Sequence, residues 1–499
     1  MFYAEEAGAQ DCAGKSHLSA AAGELTKAYK TIKILLTRGR RLRWGRMDFM
    51  NKQQAAADGI RRRDGFASHW GYVLACIGSA VGMGNIWMFP SRVSKYGGGS
   101  FLIPYFLFVA IIGFSGVIGE MAFGRATRSG PVGAFQKALE SRGGSGRAGR
   151  VLGAVPVLGS LALAIGYAVV MGWILKYTVG AFTGETLAPA DVDGFSAQFG
   201  QMASSFGNNF WQVAGLVLVA VILIASIGAG IEKVNKIMMP LFFLMFAGLA
   251  VYMAFQPGAA AGYRYMFTVD ENIANPMTWV YALGQAFFSL SLAGNGTLIY
   301  GSYLRDDEDI IGSAWKVALF DTMAAMLAAL VIIPAMATAG VNLFDGGPGL
   351  LFIHLPNLFK GIPGGAVLAA VFFIAVFFAS ITSLINLFEA PIATLQERLG
   401  LTRAQAVLAI LGIGTVISLC IQAIVGEWMD AVSIYICPLG AGMAGILFYW
   451  VFGSKFARAE LQRGRKRPIG RWLEPMTKYV FCGLTAAVFV LGIVFQGIG

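Results

Sequence analysis

The sequence predicts an all-α polytopic membrane protein, and three observations carry that prediction. Of 499 residues, 57% are hydrophobic and 13% charged, with a mean hydropathy of +0.65; soluble domains are closer to a quarter charged. Apolar runs long enough to cross a bilayer recur along the chain. Two of them, five segments apart, are interrupted by glycines and polar residues. A soluble chain of this length would divide into several domains, whereas a polytopic one forms a single bundle. The 65 glycines suit helices that approach closely in lipid.

Residues 1–69 are polar and basic, with "RGRRLR" and a triple arginine at 61–63. They lack a signal peptide's order of charge, apolar core and cleavage site, so a partly disordered cytoplasmic extension is expected, with Met47 and Met50 as alternative starts. Eleven apolar segments follow, at roughly 70–92, 101–123, 151–179, 211–228, 235–256, 275–304, 311–338, 364–398, 403–424, 431–453 and 477–497. The transporter-like core is expected over 70–453, as halves 70–256 and 275–453, with a basic loop and an eleventh helix over 454–499. Connections after even-numbered segments are basic, while 181–210 holds Glu185, Asp191 and Asp193 and no Lys or Arg. That asymmetry puts the N-terminus in the cytoplasm and the C-terminus outside.

The same distribution excludes other classes. A net charge of +11 would suit nucleic acid, but the basic residues sit in short runs between apolar segments, so the partner is membrane lipid. Five scattered cysteines (Cys12, Cys76, Cys420, Cys437, Cys482) and three separated histidines make neither a disulfide framework nor a structural metal site. No Ser/His/Asp constellation, phosphate-binding loop or dinucleotide fingerprint occurs, so neither an enzyme nor an organic cofactor is expected.

The first interruption is "GSAVGMGNIWMFP" at 78–90, and the other is "SLSLAGNGTLIY" at 289–300. Breaks that open two halves of opposite orientation mark an inverted-repeat transporter with its site at mid-membrane. A broken helix frees N–H groups that favour an anion and carbonyls that suit a hard cation. In lipid such groups are tolerated only where they line a cavity or meet a ligand. A glycine packing face with a kink is the structural alternative. Thr382 and Ser383 are adjacent hydroxyls in an apolar helix, and taken alone they would bond the preceding turn. Asp321 lies within segment seven, where an ionisable residue costs roughly 2.5–3.5 kcal/mol on insertion scales and implies function, unless it is hydrated at the cytoplasmic end. Glu120 and Glu389 raise the same question.

Over about residues 61–453 the chain resembles the neurotransmitter:sodium symporters, specifically their bacterial amino-acid members with the LeuT fold. The resemblance rests on "GSAVGMGNIW" followed by "FP", on "YGGGSF", "EMAFGR", "GIEKVNKIMMP", "GQAFFSLSL" with "YGSY", "GPGLLFIHLP" and "ASITS". It implies eleven helices in a five-plus-five inverted repeat with helices 1 and 6 broken, in a bacterial inner membrane. It also implies two sodium ions. One would be held by the carbonyls of Gly78, Val81 and Ala379 and the hydroxyls of Thr382 and Ser383. The other would take the Ala80 carbonyl, Asn85, Ser289, Asp321 and the substrate's carboxylate. That carboxylate would rest on N–H groups near Met83 and Gly84 and on the Tyr167 hydroxyl. Ser79, Leu163, Phe288, Ser291, Gly294, Leu384 and Leu387 would line the rest of the substrate site. Phe288 and Tyr167 would close it from outside. Arg63, Glu397 and Tyr303 would gate the cytoplasmic side, and Asp430 the outer side.

Three positions refine the expected function. Gly82 stands where monoamine carriers of the family have an aspartate, so the substrate brings its own carboxylate and an amino acid is favoured over an amine. Asp321 stands where chloride-dependent members have Asn, and Ala325 one turn on offers no hydroxyl, so no chloride requirement is expected. Gly294 replaces a bulky residue and points to a large apolar or aromatic amino acid, although Leu384 refills some of that space. Met88 departs from the outer-gate arginine, His69 from an arginine and Asn295 from a glycine. The reading is therefore sodium-coupled uptake of an amino acid by alternating access. Its alternatives are proton coupling through Asp321, or a substrate-sensing membrane receptor with little transport.

Overall fold

A chain that crosses lipid must satisfy its backbone internally, and among the described residues it does so with helices and without strands. The computed structural model describes residues 65–292, 296–338, 340 and 348–498. Arg63, Gly294 and Asn295 therefore lie outside the described residues.

Helix α1 (His69–Ala80) starts where Ser68 caps it, accepting from Gly71 N at 3.0 Å. Glu232 anchors that start, taking Ala67 N at 2.6 Å and Ser68 Oγ at 2.8 Å. It ends at Val81, whose backbone turns extended. Helix α2 (Gly84–Lys95) resumes at 55° to it. Its first stretch, Gly84–Met88, is a π-helix, a form that concentrates at functional sites. Along the chain follow α3 (Gly99–Thr127), α4 (Pro131–Glu140), α5 (Gly146–Thr183), α6 (Asn209–Ile224) and α7 (Ile227–Ala254). The second half opens with another interrupted pair, α8 (Pro276–Ser289) and α9 (Gly296–Gly301). It continues through α10 (Ile310–Thr338), α11 (Gly365–Leu399), α12 (Arg403–Cys420), α13 (Gln422–Gln462) and α14 (Leu473–Val494).

Eight of these helices are long and apolar enough to span, and the bent α1/α2 pair makes a ninth. Helix α6 is shorter, and the α8/α9 pair is interrupted. With those two, the elements match the eleven predicted segments in order. Their ends run further than predicted, as with 146–183 against 151–179. Hydropathy marks only the stretch within lipid, whereas the helix continues to its cap, here Ser145.

Helices α5 and α11 pack most extensively against each other, and both are 72% buried over their apolar windows. Helices α7 and α14 are 28% buried, leaving Leu244, Val251, Val490 and Val494 exposed on a lipid-facing rim. Helix α1 sits inside, against α7, α10 and α11. Helix α9 crosses the end of α3 at glycine contact. A Cβ on Gly124 would fall 2.1 Å from Leu298 O, and one on Gly301 would fall 2.4 Å from Met121 O. Small residues permit this backbone approach.

Several buried charged groups bridge helices. Arg125 Nε meets Glu460 Oε1 at 2.7 Å with both side chains buried, and its Nη1 donates to Glu308 O at 2.7 Å. Glu389 receives both Arg403 nitrogens, at 3.1 and 2.9 Å, and the Tyr303 hydroxyl at 2.7 Å. Glu120 accepts from Thr297 at 2.5 Å. Two of the three intramembrane carboxylates thus tie helices together rather than serve the cavity described below.

Replacing Gly124 with alanine forces α3 and α9 apart, because the obstructing atom is backbone. The expected loss is about 1–3 kcal/mol, as for other overpacking, seen as a lower thermal midpoint of the purified protein in detergent. An unchanged midpoint contradicts the close crossing.

Candidate functional site

Residues flanking the two helix breaks line one cavity between them. Helix one of the family's numbering, the α1/α2 pair, contributes Ser79, Ala80, Gly82, Met83 and Gly84 to its wall, and helix six, the α8/α9 pair with its connection, contributes Phe288, Ser289, Ser291 and Gly296. Leu163 and Tyr167 come from α5, Ser383, Asn386 and Leu387 from α11, and Met429 from α13.

Oxygen atoms gather at two places beside this cavity. At the first, Ser383 Oγ lies 3.2 Å from Gly78 O and 2.9 Å from Val81 O. These carbonyls belong to the last turn of α1, where helical pairing stops. Thr382 Oγ1 lies 3.2 Å from Ala379 O and 2.9 Å from Phe378 O. Gly78 brings the two groups together, since a Cβ there would be 3.0 Å from Thr382 Cβ and 1.9 Å from Asn235 Oδ1. All five residues predicted for one ion are therefore adjacent. Thr382 also bonds its own preceding turn, so the structural role considered for it is present too.

At the second place Asp321 is fully buried on α10. Its Oδ1 takes Asn85 Nδ2 at 2.7 Å and its Oδ2 takes the Ser289 hydroxyl at 2.7 Å. Asn85 Nδ2 also reaches Ser289 Oγ at 3.1 Å, while its Oδ1 accepts Gly82 N at 3.0 Å. Asp321 is therefore held inside the bundle by both broken helices and is not hydrated at a helix end. Among the described residues no cation pairs with it.

A polar corner lies alongside. Tyr167 OH accepts Met83 N at 3.1 Å. A Cβ on Gly82 would stand 2.8 Å from both Tyr167 OH and Ser383 Oγ, so a side chain there would intrude on this corner. Phe288 lies against Gly84, 3.3 Å from where its Cβ would be. Ser291 holds a left-handed backbone at φ 57° and bonds Ser79 O through its hydroxyl at 2.7 Å. Strain of that kind collects at functional sites.

One lining residue is corrected. Leu384 is completely buried but contributes nothing to the cavity wall. At about 100° per residue it stands at the edge of the face that Ser383, Asn386 and Leu387 share, about 60° round the helix from Leu387. Asn386 and Met429 take part instead. Asn386 was visible as a polar residue three positions after Ser383 in an apolar helix, whereas Met429 carried no signal.

The gating residues are dispersed. Glu397 Oε1 accepts Gly130 N at 2.9 Å, and Tyr303 bonds Glu389. Asp430 is exposed, and no described cation forms an ion pair with it. Met88 is partly buried, and the nearby Arg92 donates to Gln285 Oε1 at 3.1 Å. His69 meets Glu308 at 2.5 Å and Lys316 at 2.7 Å.

Comparison with known proteins agrees with this architecture. The profile of the "Sodium:neurotransmitter symporter family" matches residues 63–192 and 193–496. An uncharacterized sodium-dependent transporter of Bacillus subtilis is 32% identical over 338 residues, 66% of this chain and 72% of that protein. One from Methanocaldococcus jannaschii is 29% identical over 456 residues, covering 87% of this chain and 90% of that protein. The crystal structure of MhsT in complex with L-phenylalanine superposes with a TM-score of 0.77 at 30% identity, covering 86% of this chain and 99% of that one. The fold is thus the LeuT fold, with helices one and six broken. On the extent of these matches, the chain belongs to the sodium:neurotransmitter symporter family, whose members are transporters and not enzymes.

Proposed function

We propose that the protein takes up an amino acid with a large apolar or aromatic side chain, driven by two sodium ions and without chloride. The observation that carries this reading is the joint capture of Asp321 by Asn85 of helix one and Ser289 of helix six. A carboxylate buried with neutral partners is costly, and a sodium ion beside it supplies the missing charge. Turning the Asn85 amide through half a rotation offers its oxygen to that ion, and amide orientation follows the network it sits in. The Ala80 carbonyl and the substrate's carboxylate complete the shell. The second ion takes the carbonyls of Gly78, Val81 and Ala379 and the hydroxyls of Thr382 and Ser383.

The substrate carboxylate rests on the N–H groups at Met83 and Gly84 and on Tyr167 OH, with Gly82 leaving room for it. The apolar walls of Leu163, Phe288, Leu387 and Met429 receive the side chain. MhsT, bound to L-phenylalanine, is similar over most of its length. Sodium stabilises the outward-facing arrangement of the breaks, and substrate completes the shared shell. Closure of Phe288 and Tyr167 then precedes inward release past Glu397 and Tyr303. Because ion and substrate share ligands, their affinities are reciprocal. The distribution of basic loops supports a cytoplasmic N-terminus in a bacterial plasma membrane.

In proteoliposomes, replacing external sodium with potassium should reduce amino-acid accumulation to background. Undiminished uptake contradicts sodium coupling. Replacing chloride with gluconate should leave wild-type uptake unchanged. Asp321→Asn should lose uptake in gluconate by at least about tenfold and regain part of it in chloride, since it removes a fixed charge worth several kcal/mol in a dry site. Wild-type uptake that collapses in gluconate contradicts the assigned role of Asp321.

A further inference from the structure

The cavity carries polar groups that neither the ions nor the substrate carboxylate use. Ser79 Oγ is buried in the cavity wall, with the residue 7% exposed, and has no hydrogen-bond partner among the described residues. Its carbonyl is taken by Ser291, so the hydroxyl is left over. Asn386, 2% exposed on α11, donates to Gly296 O at 3.4 Å. Besides that long bond, the amide, which has two donors and an acceptor oxygen, faces the buried Tyr300 hydroxyl. The two side chains flank one point: a Cβ on Gly296 would fall 2.3 Å from Asn386 Oδ1 and 3.3 Å from Ser79 Oγ. Glycine there keeps that point open toward the cavity.

A buried polar group without a partner destabilises the protein, and native folds rarely retain one without cause. An asparagine is costlier still in an apolar membrane helix. Ser79 lies before the break in helix one, and Met83, whose N–H faces Tyr167, lies after it. The point beside Gly296 and the corner beside Gly82 have different nearest neighbours, Asn386 and Ser79 at the first and Tyr167 and Ser383 at the second, and apolar Leu163, Leu387 and Met429 share the cavity wall with both.

We propose that Ser79 and Asn386 are specificity-determining residues that hydrogen-bond a polar atom on the substrate's side chain. The preferred substrate is then an amino acid with a large apolar body and a hydrogen-bonding tip, a phenol or an indole. The inference rests on the amino-acid reading above and narrows it.

Binding of matched pairs to the purified full chain in sodium tests it: tyrosine against phenylalanine, and tryptophan against 1-naphthylalanine. The wild type should bind the polar member of at least one pair about tenfold more tightly, because a site built around hydrogen-bonding groups discriminates against analogues that lack them. Ser79→Ala and Asn386→Leu should each bring that ratio close to one, with the loss falling on the polar member. Ratios near one in both wild-type pairs, or a preference that survives both substitutions, overturn the inference while leaving amino-acid binding intact. No binding of any of the four overturns the functional reading and this inference with it. Thermal stabilisation by sodium alone reports whether each variant is folded, and if Asn386→Leu fails that check, Ser79→Ala decides.

Discussion

The rest of the structure depends on one constraint, the cost of leaving backbone N–H and carbonyl groups unpaired inside a membrane. Helices one and six both give up helical pairing at mid-span, and every feature of the site answers that loss. Ser383 meets the carbonyls of Gly78 and Val81, Tyr167 meets Met83 N, Asn85 meets Gly82 N and Ser291 meets Ser79 O. Each partner sits on the far side of the break or on a facing helix. The breaks are therefore held open by side chains that a ligand can displace. Gln285 makes the same point, since it accepts Arg92 while donating to Gly84 O at 2.9 Å.

A rigid frame makes such weak points tolerable. Helices α5 and α11 form the packed centre and carry Tyr167, Ser383 and Asn386, so the groups facing the breaks are set by the most buried elements. The glycine crossing of α9 on α3 and the bidentate Glu389–Arg403 pair anchor the second half below the cavity. Buried pairs of this kind contribute little net stability, but losing one partner is severe because the other charge is stranded.

Much of this was legible in the sequence because membrane folds write their spans as hydropathy and their breaks as glycine. The order of the spans and the two interruptions follow from residues that are conspicuous in an apolar setting, whereas the meeting of Asp321 with Asn85 and Ser289 was implied by the family resemblance. Helix rotation was less legible. Leu384 and Leu387 are both apolar residues in one run, and only the packing of α11 on α5 decides which of them faces the cavity. Asn386 was overlooked although it stands in the same run as Thr382 and Ser383, since a single amide reads equally as a helix-bonding residue. Glu120 and Glu389 looked like Asp321 in the sequence. Their pairing with Thr297 and Arg403 is a tertiary fact that no local pattern announces.

The central claim is that ion and substrate occupy one shared set of ligands between the two breaks. Equilibrium binding to the purified protein tests it most directly, with amino-acid affinity measured across sodium concentrations and sodium affinity across amino-acid concentrations. The account predicts that each ligand tightens the other by the same factor, at least about fivefold. An amino-acid affinity that does not change between sodium-free and sodium-saturated conditions would contradict it.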